Sequence, residues 1–519
     1  MFDLNKYARN PDKIEDGLKR MADGKKANTK FFDLWGVDVL GRVQHYDVFA
    51  ENVDIDDAEK AKPIAFGYDG SSGRGAARSI NQSDMMYVLD PSTAIQDPFN
   101  PDVMIVFCYQ MDPRTGELSD KDPRAIARNA ELWLVDQGTA DTANFGPERE
   151  FSILRPWQVA AMRGDLKGAE ELRTADRTEV VYRAGHKDHY FPHSTDNDAR
   201  VRRDMMLAMA KMELRPEVGH AEVAPWQHEI DIKYGTLLET ADRLTLHAYA
   251  VREIAQQHGK WATFMPKLPP WIYEHEQLDN GHGMHVHMSF WKGEENKFGE
   301  RGDNGMTLSQ QGIHAAGGLL EHPELVALFA PTANCYRRTK PGFEAPVNII
   351  MDDNEGDRSS GIRVVISERD LDPRRTRFEY RFPSALASLH LIGAGMIIAA
   401  VDGIKQERKP RTGKGDKYHQ SDIPQVSGSL AESLELFREK RKIYEDSGIF
   451  TGDFIDWYDG IKREELKSVE KRAAEIETRL GNEALSRMSR LLTGKTDESA
   501  EAMKDAARFT AESEMYFSW

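Results

Sequence analysis

Apolar positions along the chain fall into blocks whose period changes from one to the next. From Phe31 to Phe49 the sequence FFDLWGVDVLGRVQHYDVF sets β-branched and aromatic residues in two runs around a glycine turn, which predicts a hairpin. MIVFCYQMDP, from Met104, predicts a further strand. Helical spacing appears in DPRAIARNAELWLVDQG, which stops at Gly138, in RRDMMLAMAKMEL, and from Leu237 to His258. NFGPEREFSIL, WATFMPK, NGHGMHVHMSFW and RTRFEYRFP read as strands, and RPEVGHAEVAPWQHEIDI reads as two strands around a Pro-Trp turn. Residues 1–30 predict one or two short amphipathic helices, and the polar stretch Leu166 to Arg200 predicts a long loop. The apolar run Ala385 to Val401 contains Ser388 and His390, so a buried helix is expected there and not a membrane span. Ser429 to Glu512 reads as a charged helical region.

With 519 residues, several domains are expected. Apolar residues make up 40% and charged residues 30%, the balance of a globular protein and not of a disordered chain. The 86 acidic side chains exceed the 69 basic ones, for a net charge of −17, which argues against nucleic acid as the main partner. Two cysteines, Cys108 and Cys335, exclude a disulfide framework and fit a reducing compartment. Met1 to Lys30 is charged and has no apolar signal core, so a cytoplasmic location without membrane attachment is expected.

The alternation of strand side chains locates the candidate chemistry. His285, His287 and Ser289 share one strand face, while Val286, Met288 and Phe290 share the other. Glu148 and Glu150 likewise face one way, and such a pair needs a cation between its members once it is enclosed. Glu222 and Glu229 flank the Pro-Trp turn, on strands expected to face each other. Arg377, Glu379 and Arg381 form one face of RTRFEYRFP, opposite Phe378, Tyr380 and Phe382. Arg338, Arg358 and Arg363 add further guanidinium groups, which bind carboxylates and phosphates in a fork. Five glutamates and one imidazole, without thiolates, suit two Mg²⁺ or Mn²⁺ ions. Two such ions among arginines point to phosphoryl transfer from a nucleotide.

The ordered motifs YDGSS, FGPEREF, HAEVAPWQHEI, NGHGMHVHMS, NCYRRTKPGFEAPV, DRSSGIR and RFEYRFP resemble those of the glutamine synthetase family, bacterial type I class, and the likeness runs from about Phe31 to Trp519. It implies an α+β fold. A helical extension (1–30) would precede a small N-terminal β-grasp domain (31–115) and a large C-terminal α/β catalytic domain (116–519) with an open barrel-like, mainly antiparallel sheet. It also implies active sites shared between subunits of a dodecamer of two stacked hexamers. The implied reaction joins ammonia to the γ-carboxylate of L-glutamate through a γ-glutamyl phosphate, at the expense of ATP.

By the same resemblance, Glu150, Glu222 and Glu229 hold one metal ion, and Glu148, His285 and Glu379 hold the other. Glu217, His287, Ser289, Arg363, Arg374 and Arg377 contact ATP, and Arg358 steadies the phosphoryl group in transfer. Asn280, Gly281, Arg338 and Arg381 hold glutamate. Asp69 from the adjacent subunit binds ammonium and takes its proton, with Ser72, Tyr190, Glu222 and Glu344 completing the pocket. Two other readings stay open: ligation of glutamate to an organic amine or polyamine, and a non-catalytic assembly protein with this fold. The presence of Asp69, Tyr190 and Glu344 favours ammonia. Arg149 between the paired glutamates and RFPSALASLHL after the last arginine motif are local departures from the family pattern, and Tyr418 is not expected to be modified.

Overall fold

The computed structural model describes residues 3–55, 63–72, 80–175, 196–272, 281–302, 305–340, 345–352, 356–365, 372–413, 422–493 and 499–518. A turn of helix, Leu4–Tyr7, and helix α1, Ile14–Ala27, precede the first sheet. Met21 of α1 is fully buried against that sheet, among Phe32, Leu34, Val106 and Cys108.

The first sheet contains strands β1 (Phe31–Val37), β2 (Val43–Phe49), β3 (Ala65–Asp69), β4 (Asp84–Leu89) and β5 (Val103–Asp112). Their order is β2-β1-β5-β4-β3, with β1 and β5 parallel and the other neighbours antiparallel. The expected hairpin pairs Phe31 with Phe49 through to Val37 with Val43. Asp38 closes its turn by accepting from the backbone N–H groups of Leu40 and Arg42, both at 2.9 Å. β3 ends at Asp69 on an edge of this sheet.

The second sheet follows α2 (Pro123–Asp136), whose first turn is capped by the Asp122 carboxylate accepting from Arg124 N–H. Its principal strands are β6 (Thr142–Leu154), β7 (Pro216–Ala221), β8 (Gln227–Ile232), β9 (Met284–Lys292), β10 (Ile362–Val365) and β11 (Arg377–Tyr380). They run in the order β10-β11-β9-β6-β8-β7, and every neighbouring pair is antiparallel. One face of β6 buries Phe145, Phe151 and Ile153 in the core; Glu148 and Glu150 take the other.

Of the loop expected from Leu166 to Arg200, the start, Leu166–Ala175, is helix α3 instead, and 176–195 lie outside the described residues. The polar residues of α3 are solvated, and Ala169 alone is buried. α4 (Ala199–Lys211) follows, then α5 (Leu237–Gln257) and α6 (Leu389–Lys405), which is apolar on nearly all sides because α2 and α5 pack around it. The C-terminal region is helical as expected, with α7 (Gly452–Thr493), broken by a kink at Gly481 where φ is +71°, lying along α8 (Ala500–Tyr516). Among the described residues, no helix is long and apolar enough to cross a membrane.

A buried charge network joins the end of β4 to helices α2, α5 and α6. The Arg124 guanidinium donates to both oxygens of Asp242 on α5 at 3.0 Å and to Asp90, beyond β4, at 2.9 Å. All three side chains are fully buried, and Arg124 also lies over the Tyr109 ring. His390 of α6 reaches Asp242 at 3.1 Å, and Arg9 approaches it from the N-terminal segment at 3.7 Å.

Candidate active site

β6 is the spine of the site. Its register places His285 opposite Glu148 on one side and Glu229 opposite Glu150 on the other. β11 then brings Glu379 opposite His287, and β10 brings Arg363 opposite Glu379. Period-two alternation on five neighbouring strands thus turns charged residues distant in sequence toward one surface.

On one half, His285 Nδ1 stands 3.5 Å from Glu148 Oε2 and 3.3 Å from Glu379 Oε1. His287 Nε2 donates to Glu148 Oε1 at 2.6 Å, while its Nδ1 accepts from Arg377 Nε at 3.1 Å, which fixes the proton on Nε2. Glu379 is fully buried and accepts from Arg381 at 2.6 Å and from Arg363 through its other oxygen. Burial pushes the Glu148 and Glu379 carboxyls upward, but the donors beside them outweigh it: His287 and His285 for Glu148, Arg381 and His285 for Glu379. Both therefore stay ionised. Burial and Arg381 push the His285 imidazole down, which leaves it neutral and able to ligate.

The other half has the opposite balance. Glu222 and Glu229 approach one another across the β7–β8 hairpin, together with His220. Burial, then Glu148, Asp231, Glu222 and Glu150, drive the Glu229 carboxyl well above its usual range. Burial and the same neighbourhood raise Asp231 to about 8. This half is rich in negative charge and short of cations, so a bound divalent ion would relieve it. Glu150 lies across from Glu229, but its Oε2 accepts from Gln227 Nε2 at 2.7 Å and from Gly283 N–H at 2.8 Å. His220 was not among the expected site residues. Its signal was present in GHAEV, since His220 is two positions before Glu222 and so shares its face.

The remaining expected residues are spread around this floor. Arg338 is buried, and its Nη1 donates to the carbonyls of Phe382 at 3.1 Å and Pro383 at 3.3 Å. Gly281 has φ +80°, and a Cβ there would stand 2.6 Å from the Pro266 carbonyl oxygen, so only glycine fits. The Ser289 hydroxyl is buried and accepts from Trp291 Nε1 at 2.9 Å. Glu217, Arg358 and Arg374 are exposed, and Arg374 pairs with Asp372. Asp69 and Ser72 belong to the other sheet's edge, where Asp69 is exposed. Its Oδ1 accepts from Ser71 N–H at 2.9 Å and Ser71 Oγ at 2.6 Å, its Oδ2 from Ser72 Oγ, and these bonds hold the carboxyl below its usual range. Tyr190, Asn280, Glu344 and Tyr418 lie outside the described residues.

Two groups, Glu148–His285–Glu379 and His220–Glu222–Glu229, each bring three ligand atoms within 4.8 Å of one another. Carboxylate oxygens with one imidazole per group fit a hard divalent cation. The adjoining arginines could bind the oxygens of a phosphate or carboxylate in the same space.

Residues 28–113 match the family model described as "Glutamine synthetase, beta-Grasp domain", and residues 120–480 match "Glutamine synthetase, catalytic domain". Among curated relatives, a glutamine synthetase of Nostoc sp. is 37% identical over 481 residues, covering 88% of this chain and 97% of its own. That of Escherichia coli K12 is 36% identical over 454 residues, covering 84% and 93%. Among solved structures, the Plasmodium falciparum glutamine synthetase superposes with a TM-score of 0.75 at 22% identity, covering 88% of this chain and 96% of that one. A GmaS/ADP complex superposes with a TM-score of 0.71 at 23% identity, covering 88% and 98%. At these identities the two structures speak for the fold alone.

Proposed function

The chain belongs to the glutamine synthetase family, and we propose that the surface centred on β6 is its active site, ligating ammonia to the γ-carboxylate of L-glutamate with ATP. The product is L-glutamine, with ADP and phosphate released. The observation that carries this reading is the pairing of two cation-ready groups, Glu148–His285–Glu379 and His220–Glu222–Glu229, with Arg363, Arg377 and Arg381 beside them. A glutamate carboxylate is a poor acyl donor, and conversion to an acyl phosphate gives it a good leaving group. Glu148, His285 and Glu379 on one side, and Glu222, Glu229 and Glu150 on the other, would hold the divalent ions. When bound, those ions neutralise the charge of the polyphosphate and polarise the transferring group.

Hard carboxylate oxygens with imidazole favour Mg²⁺ or Mn²⁺ for both positions. Arg363 and Arg377 meet the nucleotide phosphates, and Arg358 steadies the transferring group. Arg381, Arg338 and Gly281 form the glutamate end, where Arg381 lies against Glu379. Asp69 comes from a neighbouring subunit of a stacked double hexamer: it is exposed at a sheet edge, with its carboxylate oriented by Ser71 and Ser72. There it attracts ammonium and accepts its proton, since ammonium has no lone pair for attack.

Phosphate release with ATP and glutamate, compared across ammonium, methylamine, ethylamine, aniline and putrescine, tests the nitrogen donor. Ammonium is expected to give the highest kcat/KM. Faster turnover with any of the organic amines would overturn the assignment.

A further inference from the structure

The two cation-ready groups are built alike, although only one was expected to contain an imidazole ligand. We propose that His220 is a direct ligand of the metal ion held by Glu222 and Glu229, so that both ions are bound through nitrogen as well as oxygen. This rests on the active-site reading above, which gives that ion to Glu222, Glu229 and Glu150, and adds a direct nitrogen ligand to the three carboxylates.

The backbone sets the position. His220 pairs with Glu229 across the β7–β8 ladder, and Glu222 N–H donates to Gln227 C=O at 2.7 Å just past its end. His220, Glu222 and Glu229 consequently point to the same face. His220 Nδ1 lies 3.1 Å from the Ala221 carbonyl oxygen, which can only accept, so Nδ1 is the donor. In the neutral ring that leaves the lone pair on Nε2, 3.4 Å from Glu229 Oε1. Outer-ring hydrogen bonding that fixes the tautomer in this way is the usual support of a metal-bound histidine.

The distances separate ligation from simple pairing. His287 shows what a hydrogen bond to a carboxylate looks like in this site, at 2.6 Å. His220 Nε2 stands off from Glu229 Oε1 at 3.4 Å, with Glu222 Oε1 3.3 Å from the other ring nitrogen, Nδ1, and His285 Nδ1 stands off from its two carboxylates at 3.5 and 3.3 Å. Ligand atoms about 2.1 Å from one ion are roughly 3.0 Å apart at right angles and about 3.4 Å apart at tetrahedral angles. The His220 Nε2–Glu229 distance and the His285 distances fit that spacing, His287 does not, and ligand atoms of His220, Glu222 and Glu229 all lie within 4.8 Å of one another. An imidazole at each position would shift preference from Mg²⁺ toward Mn²⁺ and its neighbours.

Electron spin echo spectroscopy of the Mn²⁺-loaded full-length enzyme tests this, because a bound imidazole nitrogen modulates the manganese signal. His285→Gln removes the other nitrogen ligand. In that variant, modulation from one ¹⁴N is expected to persist, and to change to the ¹⁵N pattern when the protein is labelled with [¹⁵N]histidine. His220→Gln in the same background should abolish it and weaken Mn²⁺ binding at least about tenfold, with a smaller effect on Mg²⁺. The ¹⁵N-histidine exchange also reads the unsubstituted enzyme, where two inequivalent couplings are expected and folding of a variant is not at issue. Bound Mn²⁺ with coupling to a single histidine nitrogen in the unsubstituted enzyme would overturn the proposal while leaving the active-site reading intact. Failure of the enzyme to bind Mn²⁺ at all would overturn both.

Discussion

Replacing Arg124 with Met removes the cation that holds two buried carboxylates, Asp90 beyond β4 and Asp242 on α5, together. Arg124, Asp90 and Asp242 have no solvent exposure, and Arg124 supplies three hydrogen bonds of 2.9 to 3.0 Å to the two acids. Taking one partner from such a cluster leaves uncompensated charge, which costs about 3–5 kcal/mol. The titration of Asp242 gives an independent measure. Burial pushes its carboxyl up, but Arg124, His390 and Arg9 more than offset that and hold it at about 2, from 3.8. At about 1.4 kcal/mol per unit, that depression is roughly 2 kcal/mol of stability, a share of the total. The sign follows from the depression. This stability is present above the unfolded value near pH 4 and is lost as pH falls through about 2.

Guanidinium unfolding followed by tryptophan fluorescence, at one fixed protein concentration, is the assay. It needs the original protein, Arg124→Met, Asp242→Asn and the double variant. Arg124→Met should lose about 3 kcal/mol or more at pH 7, and the gap should narrow below pH 4. The double variant should recover roughly 2 kcal/mol of the single-variant loss, because the unpaired charge on Asp242 is gone. A loss under about 1 kcal/mol for Arg124→Met, or a double variant no more stable than it, would refute the reasoning.

Asp69→Asn should reduce glutamine formation at subsaturating ammonium by roughly a hundredfold or more, since it removes the proton acceptor, with nucleotide Kd from fluorescence titration unchanged. A collapse in nucleotide affinity would contradict the role given to Asp69. Gly281→Ala must strain a backbone at φ +80° and bring a methyl group toward the Pro266 oxygen. About 1–3 kcal/mol of strain, or a roughly tenfold to hundredfold fall in kcat/KM for glutamate, is expected from steady-state kinetics. Chelation should abolish turnover, and Mn²⁺ at a hundred times its Kd should restore it and stabilise the protein by about 2.7 kcal/mol in the same unfolding assay. Glu148→Gln should lose most of that stabilisation.

The alternation of residues made the strands of the site readable, because a strand buried on one face writes its register into the sequence. Glu148 and Glu150, His285 and His287, and Arg377 through Arg381 all lie on the face that period two assigns them. His220 went unread because an imidazole beside one glutamate gains meaning only when Glu229 is placed opposite it, which is a contact between strands. Helix α3 was hidden for a different reason. LKGAEELRTA offers one buried residue, Ala169, so the amphipathic signal is faint, and charge and glycine gave it the look of a loop.

Arg149 is a third case. In the sequence it is a departure from the family pattern between two glutamates, and by the same alternation it points to the opposite side of β6 from them. There it stacks 4.1 Å from the Phe264 ring and donates to the carbonyls of Ala385 and Leu244. Burial, with Arg252 nearby, pushes it down to about 9. Arg149 and the altered segment from Ser384, two departures that looked separate in the sequence, therefore meet in space.

The most direct test of the account uses L-glutamate labelled with ¹⁸O in its γ-carboxylate, together with ATP and ammonium. Activation of that carboxylate by phosphorylation requires one of its oxygens to leave with the phosphoryl group. Phosphorus NMR should therefore find one ¹⁸O in each phosphate released, in step with glutamine formed. Phosphate carrying only solvent or nucleotide oxygen, with glutamine still accumulating, would contradict the acyl phosphate route on which the assignment of the site depends.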